Sequence, residues 1–258
     1  MVLGIVLHSA NIFSPNTWAI QNIETSHYYQ HLVDFIHAFR MPAFFIVSGF
    51  FLHFSYQRHG ASIILNQRVP RIIIPLIVTA ITLNSLQYSF LNASSELLNF
   101  GYWTAGYWIS HLWFLNVLVY YFVFAYLGFH YLPKVFEWIT KPIDVFLKVS
   151  PHVFVLLMPA MCLITLKVSY LIPEAENGRY YFSLAEAIKY SPYFIFGLLL
   201  HANIQLRSKF FIFRTGLMLL SIFVGLAVLN GFTNLKIIHF IQSEYLTWAL
   251  SALSFAFF

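Results

Sequence analysis

The stretch His31-Leu-Val-Asp-Phe-Ile-His-Ala-Phe-Arg-Met-Pro-Ala-Phe-Phe-Ile-Val-Ser-Gly-Phe-Phe-Leu-His-Phe-Ser-Tyr56 decides how this chain folds. A helix rises about 1.5 Å per residue, so about 20 mostly apolar residues cross a bilayer, and this run reads as a membrane span. Its first two turns nevertheless carry Asp34, His37 and Arg40. An ionisable group inside a span costs about 2.5–3.5 kcal/mol even on the lenient insertion scale, so these side chains are expected to face inward. At about 100° per residue, Asp34, His37 and Met41 share a face and Arg40 lies about 60° from His37. Pro42 lacks an N–H, leaves the carbonyl of Ala38 without its usual donor and predicts a bend beside Arg40. Residues 32–56 therefore read as one wall of an intramembrane polar site. The alternative is a helix-end Asp/Arg pair that joins two helices.

The surrounding composition agrees with a membrane setting. Of 258 residues, 60% are hydrophobic, 20% are aromatic and only 9% are charged, against about 25% charged in soluble domains. Basic-aromatic nucleic-acid patches are absent, and the single Cys162 provides neither a disulfide framework nor a thiolate metal cluster. Residues 1–13 lack a basic flank and hold His8 in their apolar centre, unlike a cleavable signal.

Apolar runs at 1–13, 32–56, 69–91, 112–132, 153–172, 190–205, 210–230 and 237–258 predict an all-α, polytopic bundle of eight transmembrane helices. No repeat, low-complexity tract or long hydrophilic stretch divides it, so residues 1–258 read as a single membrane domain. Lys and Arg alternate from loop to loop. Arg58, Arg68, Arg71, Lys134, Lys141, Lys148, Arg207, Lys209 and Arg214 fall in one set of connections, and only Arg179, Lys189 and Lys236 in the other. Because cytoplasmic loops retain Lys and Arg, the N-terminus and the Arg58 to Arg71 loop are expected inside and the first loop outside.

Three further stretches carry candidate chemistry. His8 is a titratable imidazole within the first helix, suited to general-base work or to bonding a neighbouring helix. Asn66-Gln-Arg-Val-Pro-Arg71 puts Arg68 and Arg71 at the inner mouth of the third helix, either to grip phosphate or as ordinary cytoplasmic anchors. Ser110-His-Leu-Trp-Phe-Leu115 puts His111 and Trp113 at the outer start of the fourth helix, as path residues or as a cap and an interfacial ring.

In this order and spacing, His8, Asp34 to Phe51, Arg68-Val-Pro-Arg-Ile-Ile-Ile-Pro75 and His111 to Leu115 resemble the acyltransferase-3 family of integral membrane acyltransferases. The wording from Asp34 to Arg40 and the segment from His8 to Trp18 resemble its branch that succinylates osmoregulated periplasmic glucans. The resemblance is carried by the first four helices; beyond residue 130 it is general in character. It implies transfer of an acyl group, such as succinyl, from cytoplasmic acyl-CoA to a hydroxyl of an extracytoplasmic glycan, in a bacterial inner membrane. Acyl-CoA is the co-substrate, with no bound cofactor or metal.

The implied roles follow residue by residue. His8 is the catalytic base. Arg40 stabilises the oxyanion or pairs with the free carboxylate of a succinyl donor. Arg68 and Arg71 hold coenzyme A phosphates, while Asp34, His37, His111 and Trp113 orient Arg40 or line the path. The family pattern also has an Arg eleven positions before its histidine, which would precede Met1, and about ten helices. The chain is therefore expected to be a shortened form of that fold, incomplete at its first helix and its C-terminal end.

Other classes use the same residues differently. A carrier or flippase would need two alternately opening halves, for which no repeat is present. A haem protein would pair imidazoles, yet His53, His59, His130, His152 and His201 are expected at helix ends, where pairing at one depth is hard to arrange. An inactive shortened homologue is the remaining alternative.

Overall fold

Sequence periodicity gives helices throughout, and the computed structural model, which describes residues 2–15, 20–92, 100–104, 108–109, 112–134, 151–172 and 183–208, contains no strand among them. The helices are α1 (Val2–Ile12), α2 (His27–His59), α3 (Val69–Thr79), α4 (Ser85–Asn92), α5 (Phe100–Thr104), α6 (Trp113–Tyr131), α7 (Pro151–Tyr170) and α8 (Leu184–Ala202). Each of the first six apolar runs becomes helix, and the runs at 210–230 and 237–258 lie outside the described residues. His27–His59, Ile64–Phe90 and Trp113–Tyr131 are each long and apolar enough to cross a membrane.

The boundaries have local causes. Ser26 caps α2 by accepting from the Tyr28 N–H at 3.3 Å, so the helix starts at His27, before the apolar run itself. It continues through Pro42 and stops at Gly60, whose φ of 76° is a left-handed conformation that suits glycine. Its 33 residues span about 50 Å, more than the about 30 Å hydrocarbon core.

The third run departs from the expected uninterrupted helix. Two π-helical turns, Ile64–Arg68 and Ala80–Asn84, flank α3. At the first, Pro70 cannot donate to residue 66, and the Val69 N–H reaches back to the Ile64 carbonyl. At the second, the Ser85 hydroxyl donates to the Ala80 carbonyl at 3.2 Å. Each turn ends on a long polar side chain, Arg68 and Asn84, that links α3 to other parts of the bundle.

The central pair is α2 and α8, which run parallel: Phe45 meets Tyr190, Gly49 faces Phe194 and Leu198, and His53 meets His201. Their backbones touch. A Cβ on Gly49 would sit 2.2 Å from the Phe194 carbonyl oxygen, and one on Gly197 would sit 2.0 Å from that of Ile46. Phe45, fully buried, fills the space beside this crossing against Tyr121 and Tyr190, and Tyr121 stacks on Phe194 at 4.6 Å. The α8 run is predicted from residue 190 but starts at Leu184, because Glu186 and Lys189, which break the apolar pattern, pair at 3.6 Å within the first turns.

The remaining helices surround this pair. α1 lies on the first half of α2 through Leu7, Ala10, Val33 and Ile36. α6 packs on both α3 and α8, and α7 packs on α8. Apolar side chains at Phe35, Phe51, Ile74, Ile81, Leu83, Phe90 and Phe124 are exposed, as lipid contact requires.

A methyl group forced between α2 and α8 should cost about 1–3 kcal/mol of overpacking. Gly197→Ala is therefore expected to lower the thermal midpoint in detergent. Gly128→Ala, whose added Cβ would meet nothing within 4 Å, should leave it unchanged or slightly raised. Equal midpoints for the two variants would contradict the close approach.

Candidate functional site

Arg40 leaves α2 on the side facing α1. Its Nη1 lies 3.3 Å from where a Cβ on Gly4 would be, so a methyl there would be tight and a side chain larger than a methyl would displace the guanidinium. His8 follows Gly4 by one helical turn and therefore shares its face of α1. His8 is exposed, Arg40 is half-buried, and the two interact electrostatically. The imidazole and guanidinium thus belong to one junction, where α1 crosses the middle of α2.

On its other side Arg40 approaches a nest of aromatic rings. Tyr190 of α8 interacts electrostatically with Arg40 and is buried between Phe45, at a ring distance of 5.1 Å, and Trp113, stacked at 5.5 Å. Lys189 Nζ lies 5.7 Å from the centre of the Tyr190 ring. Tyr121 of α6 donates its hydroxyl to the Ala187 carbonyl at 2.5 Å and fixes the start of α8 beside this nest. Trp113 accordingly turns into the bundle, away from the expected alternative of an interfacial ring.

The other predicted residues divide. Asp34 is exposed and interacts electrostatically with His31, one turn earlier on α2. The His37 side chain and the whole of His111 lie outside the described residues. Arg68 and Arg71 do not form a matched pair. Arg68 is half-buried and donates to the Ser55 hydroxyl on α2, whereas Arg71 is exposed one turn further along. Arg58, the last-turn cation of α2, lies over the Phe54 ring at 4.2 Å.

Tyr190 and Asn84 were not found by sequence reasoning. For Tyr190 the signal was Glu186 and Lys189, two charges just upstream in a buried helix. Asn84 gave no comparable signal. Its amide donates to the Trp108 and Ile109 carbonyls at 2.8 and 3.2 Å, holding the segment that leads into Trp113. Its Oδ1 is buried without a hydrogen-bond partner. A third correction concerns His53. It lies within α2, away from the helix end, and its Nδ1 is 2.9 Å from His201 Nδ1. The expectation that such imidazoles are hard to pair therefore fails for these two, because parallel helices bring equivalent depths together. Direct ring contact also leaves no room for a porphyrin between them.

Helices long and apolar enough to cross a membrane, gathered around a shared cationic and imidazole junction, describe an integral membrane bundle, and its class follows from comparison with known proteins. The acyltransferase-3 family profile, described as an acyltransferase domain, matches residues 1–258, and the chain belongs to that family. It therefore carries that family's acyltransferase domain. Among curated proteins it is similar to glucans biosynthesis protein C of Escherichia coli strain K12, with 40% identity over 86 residues. The same protein from Escherichia coli O1:K1 / APEC gives the same identity over the same length. The aligned stretch is 33% of this chain and 22% of the length of either relative. No solved structure matches.

Asn84→Asp would set a carboxylate against the two carbonyls that now accept from the amide. It is expected to cost about 1–3 kcal/mol, read as a lower thermal midpoint. An aspartate variant as stable as the native protein would show that Asn84 does not hold the Trp108 and Ile109 segment.

Proposed function

We propose that the chain transfers an acyl group, such as succinyl, from cytoplasmic acyl-CoA to a hydroxyl of an extracytoplasmic glycan, across a bacterial inner membrane and with the N-terminus inside. The observation that carries this reading is the seat of the Arg40 guanidinium against Gly4, one turn from His8. It brings a base and a cation to one junction. The similarity to glucans biosynthesis protein C supports a glycan acceptor.

In this reading neutral His8 takes the proton of the acceptor hydroxyl as its oxygen adds to the thioester carbonyl. Such general-base help is worth about 10²–10⁴ in rate. Arg40 lies where donors oppose the charge developing on the carbonyl oxygen, an effect strengthened by the low dielectric of the bundle. Collapse of the intermediate forms the ester and breaks the C–S bond, and the imidazolium returns its proton to the coenzyme A thiolate. Asp34 and His37 orient the polar wall, and His111 and Trp113 line the acceptor path. Trp113 acts through its stack on Tyr190.

The cytoplasmic phosphate contacts divide between two arginines of different character. Arg71, exposed, is the residue free to meet phosphate. Arg68 is engaged by Ser55 and sets the position of the π turn from which α3 starts. Positive-inside loop charge supports the location of this end in the cytoplasm.

Transfer of labelled acyl groups in membranes tests the assignment. His8→Ala should lower turnover by about 10²–10⁴, and undiminished transfer would remove His8 as the base. Gly4→Leu, which touches no substrate in this reading, should lower turnover by displacing Arg40, while Gly4→Ala should be nearly silent. Arg71→Ala should raise the KM for acyl-CoA with kcat retained. A loss of kcat at unchanged KM would place Arg71 elsewhere in the cycle.

A further inference from the structure

Two imidazoles meet where the end of α8 packs against α2, about two turns before α2 ends, and the acyl-transfer reading gives them no role. His53 and His201 face each other through Nδ1 at 2.9 Å, with ring centroids 5.2 Å apart. Aromatic rings fix both. Phe50 and Phe54 stand edge-on to His201 at 4.8 and 5.4 Å, and Phe129 packs on His53 at 5.8 Å while stacking on Tyr56 at 4.1 Å. Each imidazole thus points a ring nitrogen at the same small volume from a different helix, on side chains with little freedom to turn away.

We propose that His53 and His201 form a binding site for a borderline divalent cation of the zinc type, which bridges α2 and the end of α8. Imidazole suits zinc and its neighbours and suits magnesium or calcium poorly. With Zn–N of about 2.0–2.1 Å and a tetrahedral angle, two ligating nitrogens stand about 3.3 Å apart. The present separation needs to open by only about 0.4 Å to reach that spacing. Ligation needs both Nδ1 lone pairs, so the imidazole that now donates shifts its proton to its own Nε2 and both rings turn toward the cation, which replaces a hydrogen bond between the helices with two coordinate bonds.

No third His, Cys, Asp or Glu joins the pair among the described residues. The site is consequently open, its remaining positions filled by water or an anion, which is the pattern of a reversible rather than a structural ion. Arg207 stands near enough for its charge to act on His201. It opposes the bare cation and favours a negatively charged third ligand such as chloride or hydroxide. His201 is half-exposed, which gives the ion a path to the pair from the end of the bundle.

Zinc chloride titrated into the purified full chain in detergent tests this, with thermal midpoint and competition against a chromogenic chelator as readouts. The native protein should bind a saturable equivalent and gain stability as free zinc rises, while magnesium has no effect. His53→Ala and His201→Ala should each lose that equivalent. His59→Ala and His130→Ala, at exposed imidazoles, should keep it, which separates the site from general binding by the eleven histidines of the chain. His201→Cys should restore binding through a thiolate, and Arg207→Ala should tighten it. Should His53→Ala fail to fold, the change at His201, beside the helix end, decides alone. No saturable equivalent in the native protein, or the same equivalent in His201→Ala, would overturn the proposal. Neither readout depends on acyl transfer.

Discussion

Backbone contact between α2 and α8 sets the positions of everything else. In lipid there is no hydrophobic drive between helices, so close packing and small residues hold them together. Gly49 and Gly197 provide this, each facing a carbonyl oxygen of the other helix at a distance that a Cβ would invade. With the helices this close, Phe45 cannot lie between them and turns toward Tyr121 and Tyr190. That choice sets Tyr190 beside Arg40 and Trp113 over Tyr190. It also sets the register in which His53 and His201 meet. A single steric condition at mid-helix thereby fixes the polar junction at one level and the imidazole pair at another.

The half of the site on α2 was legible because the membrane penalises it. Asp34, His37 and Arg40 within an apolar run were expected to face inward; Arg40 is half-buried, whereas Asp34 is exposed and the His37 side chain lies outside the described residues. The partnership of Arg40 with α1 was partly legible, since His8 is the polar interruption of that helix. What made the contact possible, the missing side chain at Gly4, reads in sequence as any other glycine. The α8 contribution was hidden for a different reason. Glu186 and Lys189 interrupt the apolar pattern, so the run predicted from sequence starts after them and leaves Tyr190 at its edge, whereas in the structure the two charges pair within the helix. Asn84 and the imidazole pair depend on contacts across 25 and 148 positions, and no local pattern encodes those distances.

The two arginines of the inner motif show how backbone detail separates residues that look equivalent in sequence. Arg68 and Arg71 are three apart and on a regular helix would project from nearly the same face. The π turn ending at Arg68 inserts an extra residue into that ladder and rotates its side chain onto Ser55. Arg71, beyond the turn, remains exposed. Proline is the cause, since Pro70 removes the donor that would have kept the ladder regular. A pair expected to act together becomes one arginine that braces α3 against α2 and one that is available to a ligand.

Parallel neighbours bring like ends of two helix dipoles together, which is unfavourable unless side chains oppose it. The distribution of charge along α2 and α8 meets this condition at their C-terminal ends. Glu186 sits in the first turn of α8, and Arg58, His59 and His201 sit in the last turns of the two helices, with Arg68 and Arg207 close by. The cation density at the Gly60 end is therefore demanded in part by the fold itself. In the proposed reading, the same residues that offset two negative helix ends would also meet the anionic co-substrate. This is a sufficient reason for binding chemistry and bundle stability to be read from the same few positions. It also bears on how a cation would settle between His53 and His201 despite the arginines, since the carbonyl end of α8 supplies a negative potential beside His201.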